Sequence, residues 1–353
     1  MQKSCFISRS VIIIFIYIID IMNHEDLASV DYGGATSEHQ TMQSADKMLA
    51  LQTLDEKSMR LQETGKYTEA LACMEKALIL RQHLFGPTSD QFWSACKTIS
   101  ETCNLLAMGY LQQSEFPAAL ELLRKAKLLT ERDDKARAVT LNNFACYYRR
   151  NGNLNKASRY LKEALCLENQ LIDQQPSRAD THLNMCAVLS EMGRHQNALH
   201  HAQSALVLLH EELHQSEMDG EFASTTRSGS SHDRVAVLGI AYHNAGVEQE
   251  FLKRLEASIQ SYNKGLEYTE QWLGTKHGIV LTLRRSLDQA QQRLTSTPGG
   301  KRCGEAEKSL KYNCTSKTKK FVSHTIRSSR SRSQNARTSH SSHKRNTLMV
   351  VHT

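Results

Sequence analysis

The chain has 353 residues, 40% of them apolar, which suffices for a packed core in its middle part and for one or two domains. Its formal net charge of +7 is unevenly placed, because residues 299–353 hold 13 Lys or Arg against 2 Asp or Glu while residues 1–298 are slightly acidic. This distribution excludes a uniformly basic, nucleic-acid-binding domain. The nine cysteines contain no CxxC pair and no disulfide framework, so they favour single buried thiols in a reducing cytosol.

The first 22 residues carry a short apolar run at positions 11–19, preceded by Lys3 and Arg9. Nine apolar residues are too few to span a bilayer, although the length suits the core of a signal peptide. No small-residue cleavage site follows closely, and Met22 offers a second possible start. We therefore interpret residues 1–22 as the result of a wrongly assigned translation start or as an unstructured leader, with a signal peptide or short anchor as the alternative. The predicted compartment is the cytoplasm, with secretion or membrane association as the alternative. Residues 23–42 are polar and predicted to be disordered.

Residues 43–296 repeat one pattern of small residues five times. In each copy a small residue is followed 12 positions later by a second and 7 positions after that by a third, with large residues between them at helical spacing. The triples are Ser58/Ala70/Ala77, Ala107/Ala119/Ala126, Ala145/Ala157/Ala164, Cys186/Ala198/Ala205 and Gly246/Ser258/Gly265. Helices cross closely only where side chains are small, so the pattern predicts five stacked helical hairpins.

The segments around these small residues resemble the tetratricopeptide repeat. Residues 65–71 (GKYTEAL), 152–157 (GNLNKA) and 193–199 (GRHQNAL) are similar to the turn and second helix of that repeat, and residues 140–145 (TLNNFA) to its first helix. Ser114 and Lys253 stand where the turn glycine is expected in the second and fifth copies. The resemblance implies an all-α fold, a right-handed α-solenoid of about five hairpins.

The repeats are longer than the usual period near 34 residues, with spacings of 49, 38, 41 and 60. Together with residues 84–87 (LFGP), 141–143 (LNN) and 272–277 (WLGTKH), this length resembles the repeats of the kinesin light chain. The long N-terminal heptad coiled coil of that family is absent here. The resemblance therefore implies a light-chain-like repeat module.

Three further segments complete the predicted organisation. Residues 214–234 are rich in Ser, Thr, Gly and charge and are predicted to be a flexible insertion. Residues 276–296 predict a final amphipathic helix that caps the stack, because a terminal repeat must cover its apolar side. Residues 297–353 are a Ser/Arg-rich basic tail without helical or strand periodicity, predicted to be disordered.

The resemblance also predicts where a partner binds. The first helix of each hairpin would line a concave groove, and its exposed positions would accept a short peptide, in this family one with an aromatic residue beside acidic ones. The predicted groove residues are Asn104, Met108, Asn142, Cys146, Arg149, Arg150, His243 and Val247. Amides can bond an extended peptide backbone, and arginines attract acidic side chains. Two alternatives stay open: Arg149 and Arg150 form a solvated helix end, and Asn142 and Asn143 bond the adjacent hairpin.

The function predicted from these features is a non-enzymatic interaction scaffold, in its most specific form a light-chain-like adaptor for cargo, ciliary or microtubule transport. It requires no cofactor, no metal and no small-molecule substrate. One alternative is contact of the basic tail with nucleic acid, acidic lipid or a microtubule surface. A remote alternative is a zinc hydrolase at residues 210–214 (HEELH), with His210 and His214 as ligands and Glu211 as general base.

Overall fold

The computed structural model describes residues 37–171, 178–218 and 228–296, and within these ranges the chain forms eleven α-helices and no strand. The helices are α1 Ser37–Glu63, α2 Tyr67–Phe85, α3 Asp90–Gln112, α4 Phe116–Leu129, α5 Asp134–Arg150, α6 Leu154–Gln170, α7 Arg178–Glu191, α8 His195–Met218, α9 Ser228–Phe251, α10 Leu255–Leu273 and α11 Gly278–Ser296. Residue contacts divide the chain into two units, which we call unit 1 (Met1–Pro176) and unit 2 (Ser177–Thr353). Unit 1 contains α1–α6 and unit 2 contains α7–α11.

Successive helices pair as hairpins. The pairs are α1–α2, α3–α4 and α5–α6 in unit 1, and α7–α8 and α9–α10 in unit 2, where α11 packs on α10 and α9. All fifteen small residues of the sequence pattern are buried. The predicted five hairpins are therefore confirmed, and the small residues lie where paired helices approach each other.

The turn inside each hairpin is built on one residue with positive φ. These residues are Gly65, Ser114, Gly152, Gly193 and Lys253, with φ between 61° and 76°. In the third hairpin Gly152 N donates to Arg149 O at 3.0 Å and Asn153 N donates to Tyr148 O at 2.8 Å. This pair of bonds ends the first helix and turns the chain back, and the other four turns repeat it. The structure thus confirms that Ser114 and Lys253 occupy glycine positions.

The crossing of α9 and α10 in unit 2 has glycine, Gly246, at the first small position of the pattern. A Cβ atom on Gly246 of α9 would lie 2.7 Å from Cδ1 and Cζ of Tyr262 on α10, far inside van der Waals contact. The Tyr262 ring is fully buried, and its hydroxyl donates to Glu250 Oε1 at 2.7 Å. The fifth hairpin therefore packs a large aromatic ring directly against a glycine of the facing helix.

The boundaries of the elements differ from the sequence prediction in two places. The predicted insertion, residues 214–234, is helical at both ends, because α8 continues to Met218 and α9 begins at Ser228. The predicted disordered segment, residues 23–42, overlaps α1, which begins at Ser37. The capping helix predicted at residues 276–296 is present as α11. The leader at residues 1–22 and the tail at residues 297–353 lie outside the described residues.

Candidate functional site

The predicted groove residues lie on three first helices, as expected, but most of them are not exposed. Those on α3 and α5 belong to unit 1, and those on α9 belong to unit 2. Six of the eight are buried, with exposed fractions of 1–7%: Asn104, Met108, Asn142, Cys146, His243 and Val247. Arg149 is half-buried and Arg150 is exposed. Of the eight predicted positions, Arg150 is therefore exposed and Arg149 only partly so.

Asn104 illustrates why these positions are closed. Its Nδ2 donates a hydrogen bond of 2.9 Å to Thr140 Oγ1, which joins α3 to α5. Thr140 is fully buried and donates its own hydroxyl to Ala136 O at 3.0 Å. The amide nitrogen of Asn104, predicted to bond the backbone of a partner, thus donates to the neighbouring hairpin, where it satisfies a buried hydroxyl.

Cys146 lies on α5 one turn before the two arginines. Burial raises the pKa of its thiol to about 11, and the positive charges of Arg149 and Arg150 only partly oppose that rise. The thiol is therefore neutral at physiological pH and behaves as a small apolar side chain. Within the described residues Cys166 is exposed, while Cys73, Cys96, Cys103 and Cys186 are buried free thiols like Cys146.

The structure reveals a set of buried amides that sequence reasoning only partly identified. Asn143, Asn184 and Asn244 are at most 2% exposed, and each lies two residues before the first small residue of its hairpin. Asn184 and Asn244 were missed, although alignment on the small residues would have found them. Their shared burial indicates a structural role inside the hairpin stack, which was the alternative interpretation for Asn142 and Asn143.

Arg149 and Arg150 form the last turn of α5, and we call this pair the arginine edge. Arg150 Nη1 donates a 2.7 Å hydrogen bond to Leu111 O in the last turn of α3. The carbonyl ends of a helix carry partial negative charge, so a guanidinium is favourable there. Arg150 is consequently fixed at one nitrogen while its side chain stays exposed. This geometry distinguishes it from a freely solvated helix end.

The two predicted groove residues of unit 2 are covered by the capping helix. His243 Nε2 lies 3.2 Å from Ser286 Oγ on α11, and Val247 belongs to a hydrophobic cluster with Val280 and Leu283 of the same helix. Burial lowers the pKa of His243 to about 4, so its imidazole is neutral at physiological pH. His243 and Val247 therefore contact their own chain, and the prediction that they are exposed was wrong.

The HEELH string is part of the helix packing of unit 2. His210 Nε2 lies 2.9 Å from the Tyr242 hydroxyl of α9, and Glu212 pairs with Arg234 at 2.5 Å. Arg234 also contacts Asp180 of α7 at 3.1 Å, so it links α9 to both α7 and α8. In the described part of the chain no group of three or more His, Cys, Asp or Glu side chains is arranged to hold a metal ion. His210 and Glu212 thus serve helix contacts.

Family comparison identifies the repeats directly. Family models described as tetratricopeptide repeat match residues 50–90, 99–166 and 240–271. The chain is a tetratricopeptide repeat protein. The matched residues fall in both units, and the fold is the all-α solenoid type that the sequence predicted. Among the described residues no helix is both long and apolar enough to cross a membrane.

Solved structures with similar folds come from several proteins. MamA is 16% identical, with 61% of this chain and 95% of that chain covered and a TM-score of 0.39. BtubC (BKLC) from P. vanneervenii is 15% identical, with coverage of 80% and 100% and a TM-score of 0.43. A putative kinesin light chain from Podosopora anserina, with nearly identical TPR-like repeats, is 18% identical, with coverage of 62% and 96% and a TM-score of 0.36. A comparison with curated proteins found no match.

Proposed function

We propose that this tetratricopeptide repeat protein, an interaction scaffold by its repeats, binds an acidic peptide of a partner protein at the arginine edge of unit 1. The observation that carries the proposal is the geometry of Arg150. Its guanidinium is held by Leu111 O at 2.7 Å and is nevertheless exposed. Of the eight predicted groove positions, only Arg149 and Arg150 offer charged side chains to solvent.

The chemistry of the guanidinium decides the kind of partner. Arginine has five N–H donors in a planar fork, and the bond to Leu111 O uses one nitrogen. An ordered guanidinium loses little further conformational entropy when it binds, and its fork matches a carboxylate in bidentate fashion. An Asp or Glu side chain of an extended peptide is therefore the expected ligand.

A transport adaptor is the more specific form of this proposal. The resemblance to kinesin light chain repeats supports it, and the glycines of its two helix-end segments, residues 84–87 (LFGP) and 272–277 (WLGTKH), share one backbone conformation. Gly86 after α2 has φ 83° and ψ 161°, and Gly274 after α10 has φ 76° and ψ 162°. A repeated linker of this kind fits one repeat subtype that recurs along the chain.

The proposal is tested by capture from cell extract with three forms of the full-length chain. The first is wild type and the second carries Arg149→Glu and Arg150→Glu. The third carries Arg159→Glu and Lys162→Glu, which make the same charge change at exposed positions on the second helix of the same hairpin. We expect partners that are lost from the second form alone, with circular dichroism unchanged. Identical captures from all three forms would contradict a role for the arginine edge.

A second role is favoured by the charge of residues 299–353, which hold 13 Lys or Arg and 2 Asp or Glu. We propose that this tail adds a salt-dependent contact with a polyanionic surface. Removal of residues 299–353 is expected to abolish retention on heparin at low salt. Retention that persists without the tail would place the contact in the repeats.

A further inference from the structure

In unit 2, imidazoles take part in several of the hydrogen bonds that join different helices. His182 Nδ1 of α7 lies 2.9 Å from His201 Nδ1 of α8, and the two ring centroids are 5.0 Å apart. His210 Nε2 of α8 lies 2.9 Å from the Tyr242 hydroxyl of α9. Both contacts join different helices. The His182–His201 contact needs a neutral ring, because one Nδ1 must accept, whereas the Tyr242 hydroxyl can donate to a neutral His210 or accept from a protonated one.

The capping helix is attached in the same manner. His243 Nε2 of α9 lies 3.2 Å from Ser286 Oγ of α11. At the start of α11, Ile279 N donates to His277 Nδ1 at 3.4 Å. An imidazole nitrogen that accepts a backbone N–H cannot do so once it is protonated. Imidazoles therefore occur at the α7–α8, α8–α9 and α9–α11 contacts and at the first turn of α11.

Unit 1 is built differently. Within its described side chains the one histidine is His83, which is exposed. Its helices are linked by groups that keep their charge near neutral pH or carry none. Examples are the Asn104–Thr140 bond and the ion pair of Arg137 with Glu163 at 3.3 Å. The two units thus differ in the chemistry that joins their helices.

We propose that unit 2 is a proton-sensitive module, in which mild acidification loosens the packing of α7–α11 while unit 1 stays folded. The His182–His201 contact shows the reason most directly. One neutral imidazole must accept for this bond to form. If both rings are protonated, two donors and two positive charges face each other at 2.9 Å, which is strongly unfavourable in a half-buried site.

The groups around these imidazoles favour the neutral state. His182 faces His201 and His200 of α8 and Arg178 of α7. Burial first, and then electrostatic repulsion from these three groups, lowers the pKa of His182 to about 4. Burial also lowers the pKa of His243 to about 4, with Asn244 in weak opposition.

His210 and His277 lie in less buried surroundings. Burial and the charge of Lys264 on α10 lower the pKa of His210. Burial lowers that of His277 against the opposing charge of Asp233. A group with a lowered pKa in the folded state stabilises the fold above its unfolded pKa, near 6.5, and that stability is lost as the pH falls towards the folded value.

Two carboxyls of unit 2 act in the opposite direction. Burial raises the pKa of Glu248 against its hydrogen bonds to Ser190 and His195, and it raises the pKa of Glu212 against Arg234. Both bind a proton more readily in the folded state than in the unfolded state, which offsets part of the loss on acidification. His195 Nδ1 lies 2.9 Å from Glu248 Oε2, so an imidazole faces this carboxyl directly. A pH change alone therefore combines the effects of imidazoles and carboxyls, and histidine variants are needed to isolate the imidazole contribution.

The size of the effect follows from His182 and His243, the two imidazoles whose pKa is lowered furthest. For a folded pKa of about 4 and an unfolded pKa near 6.5, the folding equilibrium constant falls about 30-fold per imidazole between pH 7.5 and pH 5.0. A 30-fold change corresponds to roughly 1 M in the urea midpoint of a small unit. Two such sites make the shift easy to measure.

The two tryptophans allow each unit to be followed separately in the full-length chain. Trp93 lies on α3 of unit 1 and Trp272 on α10 of unit 2. Urea unfolding is followed by fluorescence at pH 7.5 and 5.0 in a Trp93→Phe chain, which reports unit 2, and in a Trp272→Phe chain, which reports unit 1. We expect the midpoint of unit 2 to fall further than that of unit 1.

His182→Gln and His243→Gln variants test the cause, because glutamine places an amide near the ring nitrogen and does not titrate. Between pH 7.5 and pH 5.0 the folding equilibrium constant of unit 2 should fall about 30-fold less in each variant than in wild type, while His83→Gln should leave that fall unchanged. Equal shifts in both units, or an unchanged shift of unit 2 in both glutamine variants, would overturn the proposal. If one variant shows no cooperative transition at pH 7.5, the other variant and the comparison of the two tryptophan reporters decide the outcome.

Discussion

Substitution of Gly246 by alanine tests the claim that small residues set the helix crossings. Gly246 lies inside α9, where alanine ordinarily favours the helix by about 1 kcal/mol. Its Cβ would, however, lie 2.7 Å from two carbons of the Tyr262 ring. The ring has little freedom to move, because it is fully buried and its hydroxyl is bonded to Glu250, which in turn pairs with Arg293 of α11.

The expected magnitude is the difference between these two effects. Overpacking of a well-packed core costs about 1–3 kcal/mol, and contact with ring carbons on this scale belongs at the upper end of that range. After the helix preference of alanine is subtracted, we expect the free energy of unfolding of unit 2 to fall by about 2 kcal/mol. The measurement is urea unfolding of a Trp93→Phe chain, in which Trp272 reports unit 2.

Gly109→Ala is the matched control. Gly109 also lies inside a helix, α3, and no atom lies within 4 Å of its added Cβ. We expect a gain of about 1 kcal/mol in unit 1, reported by Trp93 in a Trp272→Phe chain. A neutral or stabilising Gly246→Ala variant would refute the reasoning, because it would show that the crossing of α9 and α10 does not require a residue without a side chain.

Three further predictions concern single positions. Lys253→Gly and Ser114→Gly should each raise the free energy of unfolding by about 1 kcal/mol, because φ values of 61° and 67° disfavour a Cβ; lower urea midpoints would contradict this. Arg234→Ala should lower the free energy of unfolding of unit 2 by about 3 kcal/mol, since it removes the cation that Asp180 and Glu212 share. An unchanged urea midpoint reported by Trp272 would show that these two ion pairs contribute nothing. Cys166 should react with a thiol reagent at pH 8 long before Cys146, whose pKa is about 11, as peptide mass spectrometry would show; equal rates would mean that α5 opens readily.

The sequence alone predicted the hairpins because their physical cause is local and repeated. A small residue at each of three spaced positions is required wherever two helices cross, and residues such as Ala119 and Ala157 are fully buried as expected. Ser114 and Lys253 were identified as turn positions because their spacing from the small residues is fixed. The positive φ at both confirms that inference.

The exposure of the first helices could not be predicted in the same way. Whether Asn104 meets solvent depends on Thr140, 36 residues later on another hairpin, and one sequence carries no signal for that contact. The same limit hid the pairing of His182 with His201 and the cover of His243 by Ser286. The ends of the predicted insertion were misassigned because polar, Ser-rich residues extend α8 and α9 where composition favoured a loop.

The most direct test of the proposed function uses an acidic peptide that is selected from a random library by its binding to unit 1. The measured quantity is the affinity of the chain for that peptide. We predict binding that is at least tenfold weaker for the Arg149→Glu, Arg150→Glu chain, because a hydrogen bond to a charged group contributes about 1.5–3 kcal/mol. The Arg159→Glu, Lys162→Glu chain should bind like wild type, and a peptide with lysines in place of its acidic residues should prefer the Arg149→Glu, Arg150→Glu chain. Equal affinity of wild type and the Arg149→Glu, Arg150→Glu chain for the acidic peptide would contradict the account.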